Sequence, residues 1–178
     1  NDFTYILQYD EFNSREGAIS ELKLTKYDLL IMELYYDDNS WTSAEIDEIT
    51  NRNGTNPKLL FCYMSIGEAE TYRPYWQDEW DADADGVPDG NAPDWLDIEN
   101  PDWGGNYKVK YWMQSWQEII FGRNSSYLDE IIERNFDGVY LDIVDAFEYY
   151  EEMGDESAGQ KMVDFVGNIS TYAKNRNP

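Results

Sequence analysis

Gly138-Val-Tyr-Leu-Asp-Ile-Val144 is the run that decides the fold. It is short, rich in β-branched and aromatic residues, and apolar apart from one carboxylate, which reads as a strand. Just upstream, Tyr127, Leu128, Ile131 and Ile132 recur at helical spacing, so a helix feeds this strand. The same alternation recurs toward the N-terminus. Leu59 to Ile66 is a strand entered from the turn signal Asn56-Pro57, and before it Thr42-Ser43 offers an N-cap to a helix carrying Glu45, Ile46 and Ile49 and stopping at Asn53-Gly54. Asp28-Leu-Leu-Ile-Met-Glu-Leu-Tyr35 is a continuous apolar run, as expected of a parallel strand covered on both faces. A helix over about residues 14 to 24 precedes it, and Phe3-Thr-Tyr-Ile-Leu-Gln-Tyr9 is the first strand. A last helix runs from about Ser157 to Ala173, with Met162, Val163, Phe165, Val166 and Ile169 on one face.

Strand–helix alternation of this kind means β/α units and a parallel sheet, an α/β fold. Ligands of such sheets sit at the carboxyl ends of the strands, whether the sheet is open or closed into a barrel. Those ends carry Gln8 and Asp10, then Glu33 and Asp37, then Ser65, Glu68 and Glu70, then Asp142 and Asp145. Acidic residues usually mark a solvated face. Here they follow apolar strands directly, where solvation alone does not require them, and this favours a functional site.

Composition narrows the chemistry. The chain has 178 residues, enough for one domain with a real core, with 13 Lys plus Arg against 37 Asp plus Glu, a net charge of −24. That charge repels phosphate and argues against a nucleic-acid partner. There is no histidine, which excludes Ser-His-Asp and Cys-His nucleophiles, His-rich zinc sites and a His general base. Cys62 is the single cysteine, lies in an apolar run and reads as a buried structural thiol; no intrachain disulfide can form. No stretch approaches the ~20 apolar residues of a membrane span. The chain opens on Asn1 with no leader pattern, so either a leader was removed or this is an excised segment. Asn53-Gly-Thr55, Asn124-Ser-Ser126 and Asn168-Ile-Ser170 fit the glycosylation pattern, and read as chance in an Asn-rich chain.

Residues 67 to 112 form the longest stretch without a clear periodicity, and it is dense in Tyr72, Tyr75, Trp76, Trp80, Trp95, Trp103, Tyr107, Tyr111 and Trp112. Aromatic rings stack on sugar faces while Asp, Glu and Asn bind hydroxyls, so an acidic, aromatic loop above a parallel sheet suggests a carbohydrate cleft. The same rings also serve to pin down a long loop. Within it, Asp81-Ala-Asp-Ala-Asp-Gly-Val-Pro-Asp89 puts Asp81, Asp83, Asp85, Val87 and Asp89 at the first, third, fifth, seventh and ninth positions of an EF-hand-type loop, with Gly86 at the sharp turn. The twelfth position is Ala92 where a bidentate Glu is wanted, so the match is to shorter loops, with Asp94 or another nearby carboxylate completing the shell. The alternatives are a structural Ca²⁺ that shapes the aromatic loop and an acidic surface turn.

Several segments together resemble one family: Tyr63-Met-Ser-Ile-Gly-Glu-Ala-Glu70 with Tyr72, Arg73 and Trp76; Trp95-Leu96 with Glu99-Asn-Pro101; Trp103 with Gly105-Asn-Tyr-Lys-Val-Lys-Tyr-Trp112; and Phe136-Asp-Gly-Val-Tyr-Leu-Asp-Ile-Val-Asp-Ala146. The resemblance is to the glycoside hydrolases related to endo-α-1,4-polygalactosaminidases, glycoside hydrolase family 114, and covers about Phe3 to Tyr150. It implies a (β/α)8 TIM-barrel fold and hydrolysis of a polysaccharide or oligosaccharide, amino-sugar-containing, by a carboxylate pair with no cofactor for catalysis. Asp142 maps onto one active-site carboxylate of the family, either nucleophile or acid/base, since environment and spacing set those roles. Asp145 binds sugar or shifts Asp142 by like-charge proximity. Gln8, Glu33, Glu68, Glu70, Tyr72, Arg73, Trp76 and Trp112 are the expected substrate-binding residues, with Glu68 also bracing the Gly67 turn, Arg73 neutralising part of the acidic cluster, and Glu33 alternatively a satisfied polar residue inside the barrel mouth. A polysaccharide substrate implies an extracellular or cell-surface location.

Only four β/α units are visible, where a closed barrel needs eight in about 250 residues. The chain therefore reads as the N-terminal half of the domain, with the partner carboxylate on a later strand. A half barrel exposes the flank of its fourth strand, to be covered by the missing C-terminal half or by self-association. Two readings compete with an enzyme segment: a non-catalytic carbohydrate-binding protein on a barrel scaffold, and a calcium-stabilised surface module.

Overall fold

The computed structural model describes residues 2–52, 54 and 56–176. Asn53 and Thr55, which carry the first glycosylation match and part of the expected helix stop, lie outside them. In chain order the elements are β1 (Phe3–Ile6), α1 (Arg15–Leu24), β2 (Leu29–Met32), β3 (Tyr35–Tyr36), β4 (Asn39–Ser40), α2 (Ser43–Thr50), β5 (Leu59–Ser65), β6 (Glu68–Glu70), β7 (Leu96–Glu99), β8 (Asn106–Val109), α3 (Gln114–Ile120), α4 (Tyr127–Glu133), β9 (Gly138–Asp142), α5 (Phe147–Glu152) and α6 (Ala158–Arg176). The chain divides into two compact units. The first comprises residues up to Met64 with Glu130–Leu141; the second comprises Ser65–Asp129 with Asp142 onward.

The four expected strands form one sheet in the order β1-β2-β5-β9. Phe3 lies opposite Leu29 and Leu29 opposite Leu59, in parallel register. The Asp137 amide donates to the Leu60 carbonyl at 2.8 Å, while the Asp137 carboxylate accepts from the Leu60 amide at 2.9 Å, which seats β9 on β5. Leu30, Met32, Leu60 and Cys62 are wholly buried, the thiol included. Helix α1 starts at Ser14, whose hydroxyl accepts from the Gly17 amide at 3.0 Å, and buries Ala18, Ile19 and Leu22. Its last carbonyls are met by a buried cation: the Lys58 ammonium donates to Leu22, Lys23 and Thr25 carbonyls at 2.9–3.0 Å. Helix α2 begins with the reciprocal Thr42–Glu45 capping box, and Asn51 ends it in the left-handed region.

The opposite face of this sheet is not covered along its whole length. Phe3 and Tyr5 of β1, and Leu7 just beyond it, remain 56%, 45% and 39% exposed. Tyr5 meets Tyr140 of β9 edge to face at 5.3 Å, although β1 and β9 are the two edges of the sheet. The sheet therefore curls enough to bring its first and last strands into side-chain contact, with an aromatic concave face.

In the second unit the expected irregular stretch is in fact organised. Residues 68–109 contain a three-stranded antiparallel sheet, β6-β8-β7, with Glu68 opposite Lys108, Ala69 opposite Tyr107 and Glu70 opposite Asn106. Behind it a line of indoles runs Trp76–Trp80–Trp95–Trp116, at centroid separations of 5.3, 5.3 and 4.8 Å. Trp116 is fully buried and its indole N–H donates to the Ile66 carbonyl at 3.0 Å. No helix among the described residues is long and apolar enough to cross a membrane.

Candidate active site

The strand-end candidates divide between the units: Gln8, Asp10, Glu33 and Asp37 fall in the first, and Ser65, Glu68, Glu70, Asp142 and Asp145 in the second. Gln8 lies beyond β1, which stops at Ile6 rather than at Tyr9, and is exposed. Glu33 follows β2 directly and extends its ladder, its amide donating to the Ile6 carbonyl at 3.1 Å. Its own carbonyl accepts from the Tyr9 hydroxyl at 2.8 Å and the Trp41 indole at 3.2 Å. Tyr9 stacks on Tyr36 at 5.1 Å, and burial pushes its hydroxyl well above the ordinary tyrosine range. The main chain at Glu33 is thus gripped by two aromatic donors, while its carboxylate accepts from the Leu34 amide at 2.7 Å.

Asp142 is the last residue of β9, and it is half-buried. The chain turns sharply immediately after it. Ile143 sits at φ 57, ψ 36, in the left-handed region, and a short 3-10 turn over Val144–Ala146 follows. The left-handed conformation costs an L residue roughly 1–2 kcal/mol, and a β-branched one is seldom found there. Two features hold the turn. The Ile66 amide donates to the Asp142 carbonyl at 3.1 Å. A Cβ placed on Gly67 would lie 2.1 Å from the Ile143 carbonyl oxygen and 2.6 Å from the Ala146 Cβ, so only glycine allows this approach. Asp145, on the same turn, is exposed. The sequence contains Gly67 in plain view but gives no sign of the left-handed isoleucine.

Glu68 follows Gly67 and is 3% exposed. One carboxyl oxygen accepts from the Asn100 side-chain amide at 2.7 Å; the other is buried without a hydrogen-bond partner. Burial raises its pKa above the ordinary carboxylate value, with Asn100 and the charge of Lys108 opposing the shift. Asn100 and Lys108 are site components that reading strand ends alone does not pick out, because they arrive on β7 and β8. Glu70 is engaged differently. It accepts from the Arg73 guanidinium and from the Tyr72 hydroxyl, and Arg73 lies between the Tyr72 and Tyr127 rings at 4.9 and 5.1 Å. Tyr72 presents the other side of its ring to solvent at 67% exposure. Trp76 and Trp112 are half-buried and built into packing: Trp76 against Trp80 and Tyr107, Trp112 against Tyr150 with the Lys161 ammonium 4.5 Å over its ring.

The acidic loop closes on itself. One carboxylate oxygen from each of Asp81, Asp83 and Asp89 falls within 4.8 Å of the others. Asp81 accepts from the Asp85 and Gly86 amides and the Tyr107 hydroxyl, which lower its pKa, the tyrosine most. Asp85 is outside the trio and accepts from the Val87 amide at 2.9 Å. The Asp83 pKa is raised, chiefly by the charge of Asp85. Oxygen donors gathered this way suit a hard cation such as Ca²⁺.

A parallel β/α sheet with carboxylates at its strand ends, and with the last strand closing on a strained turn that carries two of them, defines an α/β protein with an acidic site. Comparison with known proteins is more specific. The model of glycoside-hydrolase family GH114 matches residues 7–177, and the chain belongs to that family. It is 39% identical over 170 residues to an uncharacterized protein of Methanocaldococcus jannaschii, covering 93% of this chain and 44% of the relative. It is 34% identical over 164 residues to an uncharacterized protein of Deinococcus radiodurans, covering 92% and 47%. Among solved structures it is similar to a variant of the glycoside hydrolase domain of PelA from Pseudomonas aeruginosa, with TM-score 0.65, 13% identity, and coverage of 98% of this chain and 56% of that one. The unaltered PelA domain gives TM-score 0.60 at 15% identity, covering 95% and 55%. The chain thus spans about half the length of these relatives.

Proposed function

We propose that this chain supplies four β/α units of a (β/α)8-type barrel that hydrolyses glycosidic bonds in a polysaccharide, with Asp142 as one of two catalytic carboxylates. The observation that carries the reading is the position of Asp142. It is half-buried at the carboxyl end of a parallel strand, on a turn held by Gly67, in a chain of a glycoside-hydrolase family. Retaining and inverting enzymes both need a carboxyl pair across the scissile bond. The second member belongs to a later strand of the complete protein. Asp145 and the exposed ring of Tyr72 contact the sugar. The resemblance to endo-α-1,4-polygalactosaminidases supports an amino-sugar polymer as the substrate, and with it a location outside the cell or at its surface. Ca²⁺ held by the Asp81–Asp89 loop has a structural role, and hydrolysis itself uses no cofactor.

The test is Asp142→Asn in the full-length protein, assayed by reducing-end release from polygalactosamine. Turnover falls at least about a hundredfold while glycan binding persists. Full activity in the variant removes Asp142 from the mechanism. A parent protein that binds the polymer and never cleaves it is a binding module instead. Residues 1–178 alone hydrolyse nothing on this reading, and measurable turnover by them contradicts the half barrel.

A further inference from the structure

We propose that Gly67 and Ile143 form a backbone clamp that positions the Asp142 carboxylate for the hydrolytic step. The inference rests on the assignment of Asp142 above and adds two positioning residues to it. Its ground is the geometry on either side of the carboxylate. The carbonyl of Asp142 is tied to the Ile66 amide at 3.1 Å. The next residue, Ile143, is held at φ 57 although its side chain is β-branched. Ile143 then closes the following turn, its carbonyl accepting from the Ala146 amide at 3.3 Å. What faces that same carbonyl is Gly67, at a distance that leaves no room for a methyl group: the positions a Cβ would meet are the Ile143 oxygen at 2.1 Å, the Ala146 Cβ at 2.6 Å and the Ile143 Cγ2 at 2.8 Å.

A residue held in a poorly populated backbone region persists only where its surroundings over-determine it, and such residues gather at sites where geometry matters. Here the surroundings are the Ile66–Gly67 segment on one side and the 3-10 turn on the other. A flexible turn with glycine at position 143 would connect β9 to α5 equally well. The rigid one restricts the peptide planes flanking Asp142, and with them the direction in which its side chain leaves the strand. A displacement of about 1 Å at a reacting group is enough to lower turnover about a hundredfold.

The experiment compares kcat and KM of three variants of the full-length protein on polygalactosamine, with thermal melts alongside. Gly67→Ala forces the Ile143 carbonyl aside; kcat falls about a hundredfold while KM stays within about threefold of the parent. Adding Ile143→Gly to Gly67→Ala gives the turn freedom to absorb the methyl group. The melting temperature recovers and kcat does not. Recovery of both together means the contact serves stability alone and overturns the clamp. Should Gly67→Ala fail to fold, Ile143→Gly by itself decides: kcat lowered about tenfold at unchanged KM supports the clamp, and parental kcat overturns it. Asp142→Asn, measured in parallel, separates the two levels. If it retains full activity the assignment of Asp142 fails; if it is inactive and the clamp variants keep parental kcat, only the clamp fails.

Discussion

Arg73 donates through Nε to Glu70 Oε2 at 2.5 Å, three residues away along the chain, and 2% and 3% of the two side chains are exposed. An ion pair so deeply enclosed offsets its own desolvation only while both members are present. It also fixes the Tyr72 ring, since the guanidinium lies 4.9 Å from that ring and the Tyr72 hydroxyl donates to the same Glu70.

Arg73→Ala is therefore expected to destabilise the protein by about 3–5 kcal/mol, because it leaves the Glu70 carboxylate buried with its main countercharge removed. The double change Arg73→Met with Glu70→Leu should recover most of that loss. Urea unfolding of the three proteins measures both quantities. A single variant as stable as the parent would show that the pair contributes nothing.

Glu68 gives stability a pH dependence of defined sign. Its folded pKa is raised above 4.5 by burial, so between 4.5 and the folded value the native state holds a proton that the unfolded chain has released. In that window the native state binds more protons, and stability falls as pH rises. Above the folded pKa the cost of the buried carboxylate is fully present. Glu68→Gln should flatten this component, leaving the variant relatively more stable at pH 7 than at pH 4 when each is compared with the parent. Melting temperatures across that range test it, and parallel curves for the two proteins would remove Glu68 as the source.

The Asp81–Asp89 loop should respond to calcium removal. Binding a cation to the folded loop alone stabilises by about 2.7 kcal/mol at a hundredfold excess over Kd. The melting temperature should drop when EGTA is added to calcium-saturated protein, and Asp83→Asn should lose most of the difference. Because the Asp83 pKa is raised, protons should compete for the site and affinity should weaken in acid. A melting temperature indifferent to EGTA excludes a structural cation.

The β/α alternation was legible because parallel strands read as continuous apolar runs: Leu59–Ser65 and Leu29–Met32 stand out by composition alone. The antiparallel sheet of the second unit was not. Its strands are Glu-Ala-Glu, Leu-Asp-Ile-Glu and Asn-Tyr-Lys-Val, short and half polar, and the Glu68–Lys108 pairing spans forty positions that no local pattern announces. Residue types at the site were readable one by one, so Asp142, Glu68 and Glu70 were in view from the start. Their states were not. Glu70 and Glu68 are two residues apart on one strand, yet one is paired with Arg73 and the other has an oxygen with no partner, and only the fold distinguishes them. Trp76 and Trp112 show the same limit, since a ring in packing and a ring in a cleft are spelled alike.

The pairing of β9 with β5, made by Asp137 across a separation of 77 residues from Leu60, bears on how the chain is born. All of Ser65–Asp129 leaves the ribosome between these two strands. During that interval β5 waits as an open edge, with the amide and carbonyl that will later meet Asp137 still unmatched. That intervening, indole-lined segment is only part of the second compact unit, which Asp142 onward completes. Vectorial synthesis thus delivers the strand that ends in Asp142 only after that whole segment has been made. A nascent chain arrested before Phe136 would expose an edge that invites mispairing with its neighbours on a polysome.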